Sequence, residues 1–356
     1  MKRSPKSKVQ SPKSFTQPLL AVALGLAVGL AVTWLAGENP WHVLQILGKS
    51  AFGSRYDFGM TLFYSTPLIF TGLSVAVAFH AGLFNIGAEG QLTLGALAAA
   101  AVGAVWPGLP SPVAPVLAGV AAVLVGTVWG AIPGWLRARR GSHEVINTIM
   151  LNFIAAGLAS YVALYLLKNP DSQNPETRPV GPGYLIHQFG VFGGAPVSVA
   201  LPLAILAAVA VWVLLWRTAL GFEIRAVGQS EPAARAVGIN PGNIRIIALS
   251  LAGGLAGLVA LGEVLGNAGK FKVGFSPEYG FMGIAVALLG RNRPLGIVAA
   301  ALLFGALHQG TAGLDLETEH ITRELSLVLQ ALIILSVSAD GLWSWIKGRR
   351  GTFAVQ

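Results

Sequence analysis

Three polar side chains able to exchange hydrogen bonds with a passing solute, Asn85, Glu89 and Gln91, fall within FHAGLFNIGAEGQL at residues 79–92. The stretch from Met60 to Trp106 carries Glu89 as its single formal charge. Two membrane spans would consume most of that stretch. Polar groups held at such depth face a cavity, a partner or one another. Gly82, Gly87 and Gly90 let the backbone break or turn here, and an interrupted helix is one way transporters expose backbone groups to solute. The alternatives are that Glu89 sits at the aqueous interface beside a helix end or serves structural hydrogen bonding, and the readings stand open.

A second segment, GSHEVINTIMLNFIA at 141–155, follows the cluster Arg137, Arg139 and Arg140. Ser142 can cap a helix whose first turn holds Glu144, where the helix dipole favours negative charge. Thr148 and Asn152 share a face, whereas Asn147 and Asn152 do not. Asparagine inside an apolar span needs a partner, either a neighbouring helix or a solute. A third segment, ALGFEIRAVGQSEPAARAVGIN at 219–240, carries Ser230 as N-cap, Pro232 in a first turn and Gly238 at the position after a helix end. These signals bracket a helix of about seven residues, too short to be stable unless it packs on something. Its Ala233, Ala234 and Ala236 allow close approach, and Arg235 offers a bidentate donor. The fourth, GFMGIAVALLGRNRPLGI at 280–297, joins a span to a tight basic turn in which Arg291 and Arg293 read as topology anchors. Gly253 and Gly257 read as helix-packing surface.

The elements that must position these residues are membrane helices. The 356-residue chain is 54% apolar and 11% charged, against about 25% charged for a soluble domain. Apolar runs bounded by charge, proline or glycine lie near 18–36, 60–79, 91–106, 113–136, 146–167, 197–216, 246–265, 274–290, 294–310 and 322–339. The expected fold is therefore an all-α polytopic membrane protein of about ten transmembrane helices, some short or broken. With the N-terminus in the cytoplasm, 17 of the 24 basic residues fall inside, in the groups Lys2 to Lys13, Arg137 to Arg140, Arg217 to Arg245, Arg291 to Arg293 and Lys347 to Arg350. Lys49, Arg55, Lys168, Arg178, Lys270, Lys272 and Arg323 fall outside. That asymmetry places both termini in the cytoplasm. The basic head at 1–17 reads as disordered, 18–339 as a single transmembrane domain, 168–196 as its external loop, 217–245 as its main cytoplasmic loop, and 340–356 as a basic tail. The first apolar run exceeds the core of a cleaved signal peptide and reads as a retained anchor.

Several classes of chemistry lack their residues. The chain has no cysteine and no phosphate-binding loop of the Walker type, and its six histidines are scattered. No catalytic residue, metal site or cofactor of its own is expected. The net charge of +9 belongs to loops beside spans, which argues against nucleic acid. Glu89 and Glu263 read as isolated carboxylates, without proton-relay spacing.

GLFNIGAEGQ at 82–91, EVINTIMLNFIA at 144–155 and GIAVALLGRNRPLGI at 283–297 together resemble permeases of bacterial ABC importers, in the nucleoside or simple-sugar branch of the sugar and branched-chain amino-acid permease superfamily. The resemblance covers the chain from about Met60 onward. It implies a permease of the bacterial plasma membrane that carries a nucleoside or related sugar by alternating access; the residues expected on the pathway, from their own polarity, are Asn85, Glu89, Gln91 and Asn152. It also implies that the cytoplasmic loop holds the ATPase-coupling helix, with Gly221, Phe222, Arg225, Ala234, Arg235 and Gly238 as contacts. The implied partners are a cytoplasmic ABC ATPase, which binds ATP and Mg, a second identical or related permease, an extracytoplasmic solute-binding protein, and the lipid bilayer. Glu231 followed by Pro232 departs from the EAA-loop pattern of other ABC permeases. The runner-up reading is a secondary transporter driven by an ion gradient, which should show inverted repeats and intramembrane acids.

Overall fold

The computed structural model describes residues 16–338. The head expected over 1–17, apart from its last two positions, and the tail expected over 340–356 lie outside the described residues. Two helices open the chain, α1 (Thr16–Leu35) and α2 (Pro40–Phe52). Asn39 caps α2 by accepting from the Trp41 and His42 amides. Then come α3 (Arg55–His80), α4 (Ala88–Val105), α5 (Val113–Arg140) and α6 (Glu144–Tyr161), the last prolonged by a wide-pitched turn to Leu166. A long connection leads to α7 (Ala200–Arg217), followed by α8 (Ala219–Gln229), α9 (Glu231–Ala236) and α10 (Pro241–Gly257). α10 continues as a π-helical stretch, Leu261–Ala268. The chain then forms α11 (Tyr279–Leu289), α12 (Pro294–Gly310), α13 (Leu314–Glu317) and α14 (Leu325–Ser338).

Seven of these stretches are long and apolar enough to cross a bilayer: Arg55–His80, Ala88–Val105, Val113–Arg140, Glu144–Leu166, Ala200–Arg217, Pro241–Ala268 and Pro294–Gly313. Three shorter apolar helices, Leu20–Leu35, Tyr279–Leu289 and Leu327–Ser336, stand where the first, eighth and tenth expected runs fall. α2 was not expected at all.

Why these helices pack as they do is clearest in α5, which is patterned in the opposite sense to a helix of a water-soluble protein. Ala114, Ala118, Ala122, Gly126 and Gly130 are buried, at a spacing that keeps them on one face. Val116, Val120, Leu124 and Val128 point outward and are exposed. Lipid tails are as apolar as valine, so large side chains gain nothing by turning inward, and small ones let backbones approach. The buried stripe of α5 meets α10, where Gly253 and Gly257 serve as the packing surface. A Cβ on Gly253 would overlap the Gly126 carbonyl oxygen, and one on Gly257 would overlap that of Ala122. Neither backbone can yield as a flexible side chain would. Gly253→Leu is therefore expected to cost about 3 kcal/mol or more and to lower the thermal midpoint of the detergent-purified protein. Val128→Leu, on the outward face, is the control that should leave it unchanged.

The connection at 168–196 is not a loose solvated strap. Its amides at Thr177, Val180 and Ile186 donate to the carbonyls of Phe271, Gly269 and Leu265, and the Val273 amide returns a bond to Pro175. Lys270 closes an ion pair of 2.7 Å on Glu176. The Tyr184 side chain is fully buried, and its hydroxyl donates to the Trp106 carbonyl at 3.0 Å. The segment is thus lashed across the ends of α4, α5 and the α10 extension. The opposite end of the bundle, where α3, α5, α7 and α11 finish, carries the arginine clusters.

Candidate functional site

α3 ends by reversing its backbone. Gly82 adopts a left-handed φ of 72°, and the Leu83 amide returns to the Ala78 carbonyl, the arrangement that closes a helix end. α4 then starts after a short re-entrant link. Asn85, in that link, is fully buried and donates from Nδ2 to Gln91 Oε1 at 3.0 Å. Its Oδ1 accepts from the Gly87 amide at 3.1 Å and from Gln91 Nε2 at 3.3 Å. It also reaches Ser74 on α3. Asn152 on α6 holds the same break from the other side, accepting from the Gly90 amide and donating to the Ile86 carbonyl, both at 2.9 Å. Asn85, Gln91 and Asn152 therefore direct these bonds to one another and to the interrupted backbone.

Glu89 does something different. It stands in the first turn of α4, and its Oε2 accepts from the Gly280 amide at 2.7 Å, in the first turn of α11. Ser276 completes this cap, accepting from the Tyr279 amide at 3.0 Å and donating to Glu89. From its place in the first turn of α4, the Glu89 carboxylate thus answers an exposed amide of the α11 start, where the helix dipole favours negative charge. A Cβ on Gly280 would overlap the Glu89 amide nitrogen, so the two starts touch backbone to backbone. At 1.5 Å per residue, the 18 residues of α4 and the 11 of α11 extend about 27 and about 16 Å from this junction toward opposite ends of the bundle. The junction therefore lies between the two ends of the bundle.

Tyr279 turns its hydroxyl to Glu263, in the π-helical extension of α10. Glu263 and Glu89 both act electrostatically on Tyr279, so the two acids expected to be isolated belong to one constellation. Tyr64 of α3 interacts electrostatically with Tyr279 and Glu263 and packs edge-on against His308 of α12, with ring centroids 4.2 Å apart. Beside the junction, Glu278 is exposed in a left-handed conformation at φ 63°, and Phe281 is exposed on α11. The apolar run around Tyr279 gave no sign of this gathering, because its members come from elements far apart in sequence. Among the described residues no group of three or more histidines and carboxylates could hold a metal ion.

At the basic end, Ser230 caps α9 by accepting from the Ala233 amide, and Gly238 follows in a left-handed conformation at φ 86°. Only Ala234 of α9 is buried; Arg235 is exposed, and so is Val237 just beyond the helix. Glu231 is clasped by two cations, Arg235 at 2.7 Å and Arg245 at 2.6 Å, which hold its carboxyl below the usual carboxylate range. Phe222 is exposed, while Arg225 is half-buried and donates to the Gly221 carbonyl. Gly221 is buried against Leu214 and Leu215, where no side chain fits. α8 reaches the core elements through Gly228, which touches the backbone of His80 and Gly82. His80 in turn bonds the Asn292 carbonyl at 3.0 Å, in the turn that ends α11. The α8–α9 segment is thus in contact with α3, and through α3 with the far end of the half-length helix that bears the junction.

Comparison with known proteins identifies the family. A sequence profile for the family described as the branched-chain amino acid transport system permease component matches residues 58–338. The guanosine ABC transporter permease protein of Bacillus subtilis is 36% identical over 93% of this chain and 95% of its own. The nucleoside ABC transporter permease protein of Lactococcus lactis is 34% identical over 90% of each chain. The glucose ABC transporter permease protein of Haloferax volcanii is 33% identical over 93% of this chain and 89% of its own.

Proposed function

The chain belongs to the family of branched-chain amino acid transport system permease components, and on that premise we propose that it is the membrane-spanning subunit through which an ABC importer passes a nucleoside or a related sugar. The observation that carries the reading is the meeting of two helix starts, α4 and the short α11, between the ends of the bundle, which this reading sets at membrane depth. Interrupted helices of this kind supply polar backbone to a solute where hydrocarbon otherwise forbids it. Glu89 and the exposed Glu278 and Phe281 then border the solute route, with Asn85, Gln91 and Asn152 holding the break in shape. An acid as exposed as Glu278 at this depth belongs beside water or a second subunit rather than lipid.

α9 supports the second half of the reading. It is a short capped helix exposing Ala233, Arg235 and Val237, suited to a groove on a cytoplasmic ATPase. That partner would bind ATP and Mg, since this chain has no phosphate-binding loop. All ten apolar helices cross the bilayer in this proposal, with both termini in the cytoplasm as the arginine distribution suggests. A second permease, identical or related, would complete the pathway, and an extracytoplasmic binding protein would deliver the solute over the ordered face at 168–196.

The test is uptake of labelled guanosine in cells lacking this chain, before and after its restoration. Restored uptake should collapse when ATP is depleted with the proton gradient held. Uptake that follows the gradient and ignores ATP would reject the importer reading. Chain-dependent uptake of glucose but not guanosine would keep the importer and change its cargo.

A further inference from the structure

The π-helical stretch Leu261–Ala268 widens the end of α10 where it passes α3 and α7, next to Thr66 and Ala200. Such widened turns are frequent at functional sites. Glu263 lies within this one. Its residue is 8% exposed, and the Tyr279 hydroxyl donates to it. Its Oε1 is buried and has no hydrogen-bond partner among the described residues. Lys272 acts on the carboxylate electrostatically without forming an ion pair. A buried acceptor left open costs about 1–3 kcal/mol, and a carboxylate at membrane depth is retained where it serves a solute or a relay. Tyr279 occupies one side of the group and fixes its orientation, so the vacancy is directional.

We propose that Glu263, held by Tyr279, accepts a hydrogen bond from one of two adjacent ring hydroxyls of a sugar moiety as the solute passes the α4–α11 junction. This rests on the importer reading and adds the chemical group that is recognised. An ionised carboxylate is an acceptor only, and adjacent sugar hydroxyls are donors that carboxylates bind in other proteins. Guanosine and glucose, named in two of the relatives, differ in nearly everything except such a hydroxyl pair. The site lies closed behind Tyr279, which is 3% exposed. Solute therefore reaches it when the Tyr279 side chain yields.

The experiment compares initial uptake of guanosine and of 2′,3′-dideoxyguanosine in cells whose own copy of the chain is replaced by Glu263→Gln, leaving every partner native. The binding protein is common to both strains, so a change in the guanosine-to-dideoxyguanosine ratio reports on this chain. The ratio should fall at least about tenfold, the worth of one hydrogen bond to a charged group, through loss of guanosine uptake alone. Tyr279→Phe, which removes the orienting hydroxyl and keeps the ring, should lower the ratio less. A ratio unchanged in Glu263→Gln overturns the proposal, whether both uptakes fall together, as for a structural role, or neither does, as for an acid that merely holds a proton. Wild-type cells without chain-dependent guanosine uptake would instead remove guanosine as cargo, and glucose against 2-deoxyglucose then puts the same question to the same residue.

Discussion

Gly280→Val is expected to abolish uptake while leaving the chain in the membrane at its normal level. Any Cβ at this position overlaps the Glu89 amide nitrogen and comes within 2.6 Å of the Glu89 Cα. Both are backbone atoms, so the clash is relieved only by parting the two helix starts. Overpacking of this kind costs about 1–3 kcal/mol, which a well-packed bundle survives. The junction does not survive it, because the bond from the Gly280 amide to Glu89 is broken and the α11 start loses its anion. Phe281→Leu, one residue along and exposed, is the companion that should transport normally if its ring only borders the route. Uptake above about half of wild type in Gly280→Val, with comparable protein by immunoblot, would remove the junction from the transport pathway; the comparison scale is the roughly hundredfold loss that small misplacements at working sites produce.

Arg235→Glu should separate ATP hydrolysis from transport. Arg235 is 65% exposed at its side chain, and an exposed ion pair contributes at most about 1 kcal/mol, so folding and insertion are spared. The reversal places a second carboxylate one turn from Glu231, competing for Arg245, and turns a donor on the exposed face of α9 into an acceptor. The expected result is an uptake decrease of about tenfold or more with the assembled complex still hydrolysing ATP. Normal uptake would sink the assignment of α9 as the docking helix. The clasp around Glu231 also has a defined pH response. Its carboxyl is depressed by Arg235 and then Arg245, so its stabilisation is full above the ordinary carboxylate pKa and is lost only as pH falls through the depressed value. Coupling measured between about pH 5.5 and 8 should carry no inflection from this group.

Much of the fold was legible because lipid imposes a simple rule on sequence. Each of the ten apolar runs corresponds to a helix, and Ser230, Pro232 and Gly238 bracket α9 because caps are local chemistry. The limits of the runs were less clear. α3 begins at Arg55 rather than near residue 60, since Ser54 caps a turn of polar residues by accepting from the Asp57 amide. α2 was missed although Asn39 followed by Pro40 is a sound helix start, because its apolar face alternates with polar residues and no long run announces it. The site was legible only in part. The FNIGAEGQ motif marked a break in the backbone, but the pairing of Asn85 with Gln91, and their distance from the role of Glu89, depend on how α6 and α11 pack. The joining of Glu263 to Tyr279, and of Tyr279 to Glu89, is tertiary and has no local signature. Spacing along the chain made those acids look solitary.

The lashing of residues 168–196 onto the segment beyond α10 bears on mechanics as well as packing. With the stretch from Leu265 to Val273 stitched down at one end of the bundle and the turn at Arg291–Arg293 joined through His80 to the α8–α9 segment, α11 resembles a rocker with one end on a fixed bearing. A push delivered through α9 would be felt as rotation about that bearing, greatest at the Arg291 turn and smallest beside Gly269. Stiffening the bearing further, for instance with a crosslink between the two stitched segments, would leave the stroke intact, whereas the same crosslink between α8 and the Asn292 turn would stall it.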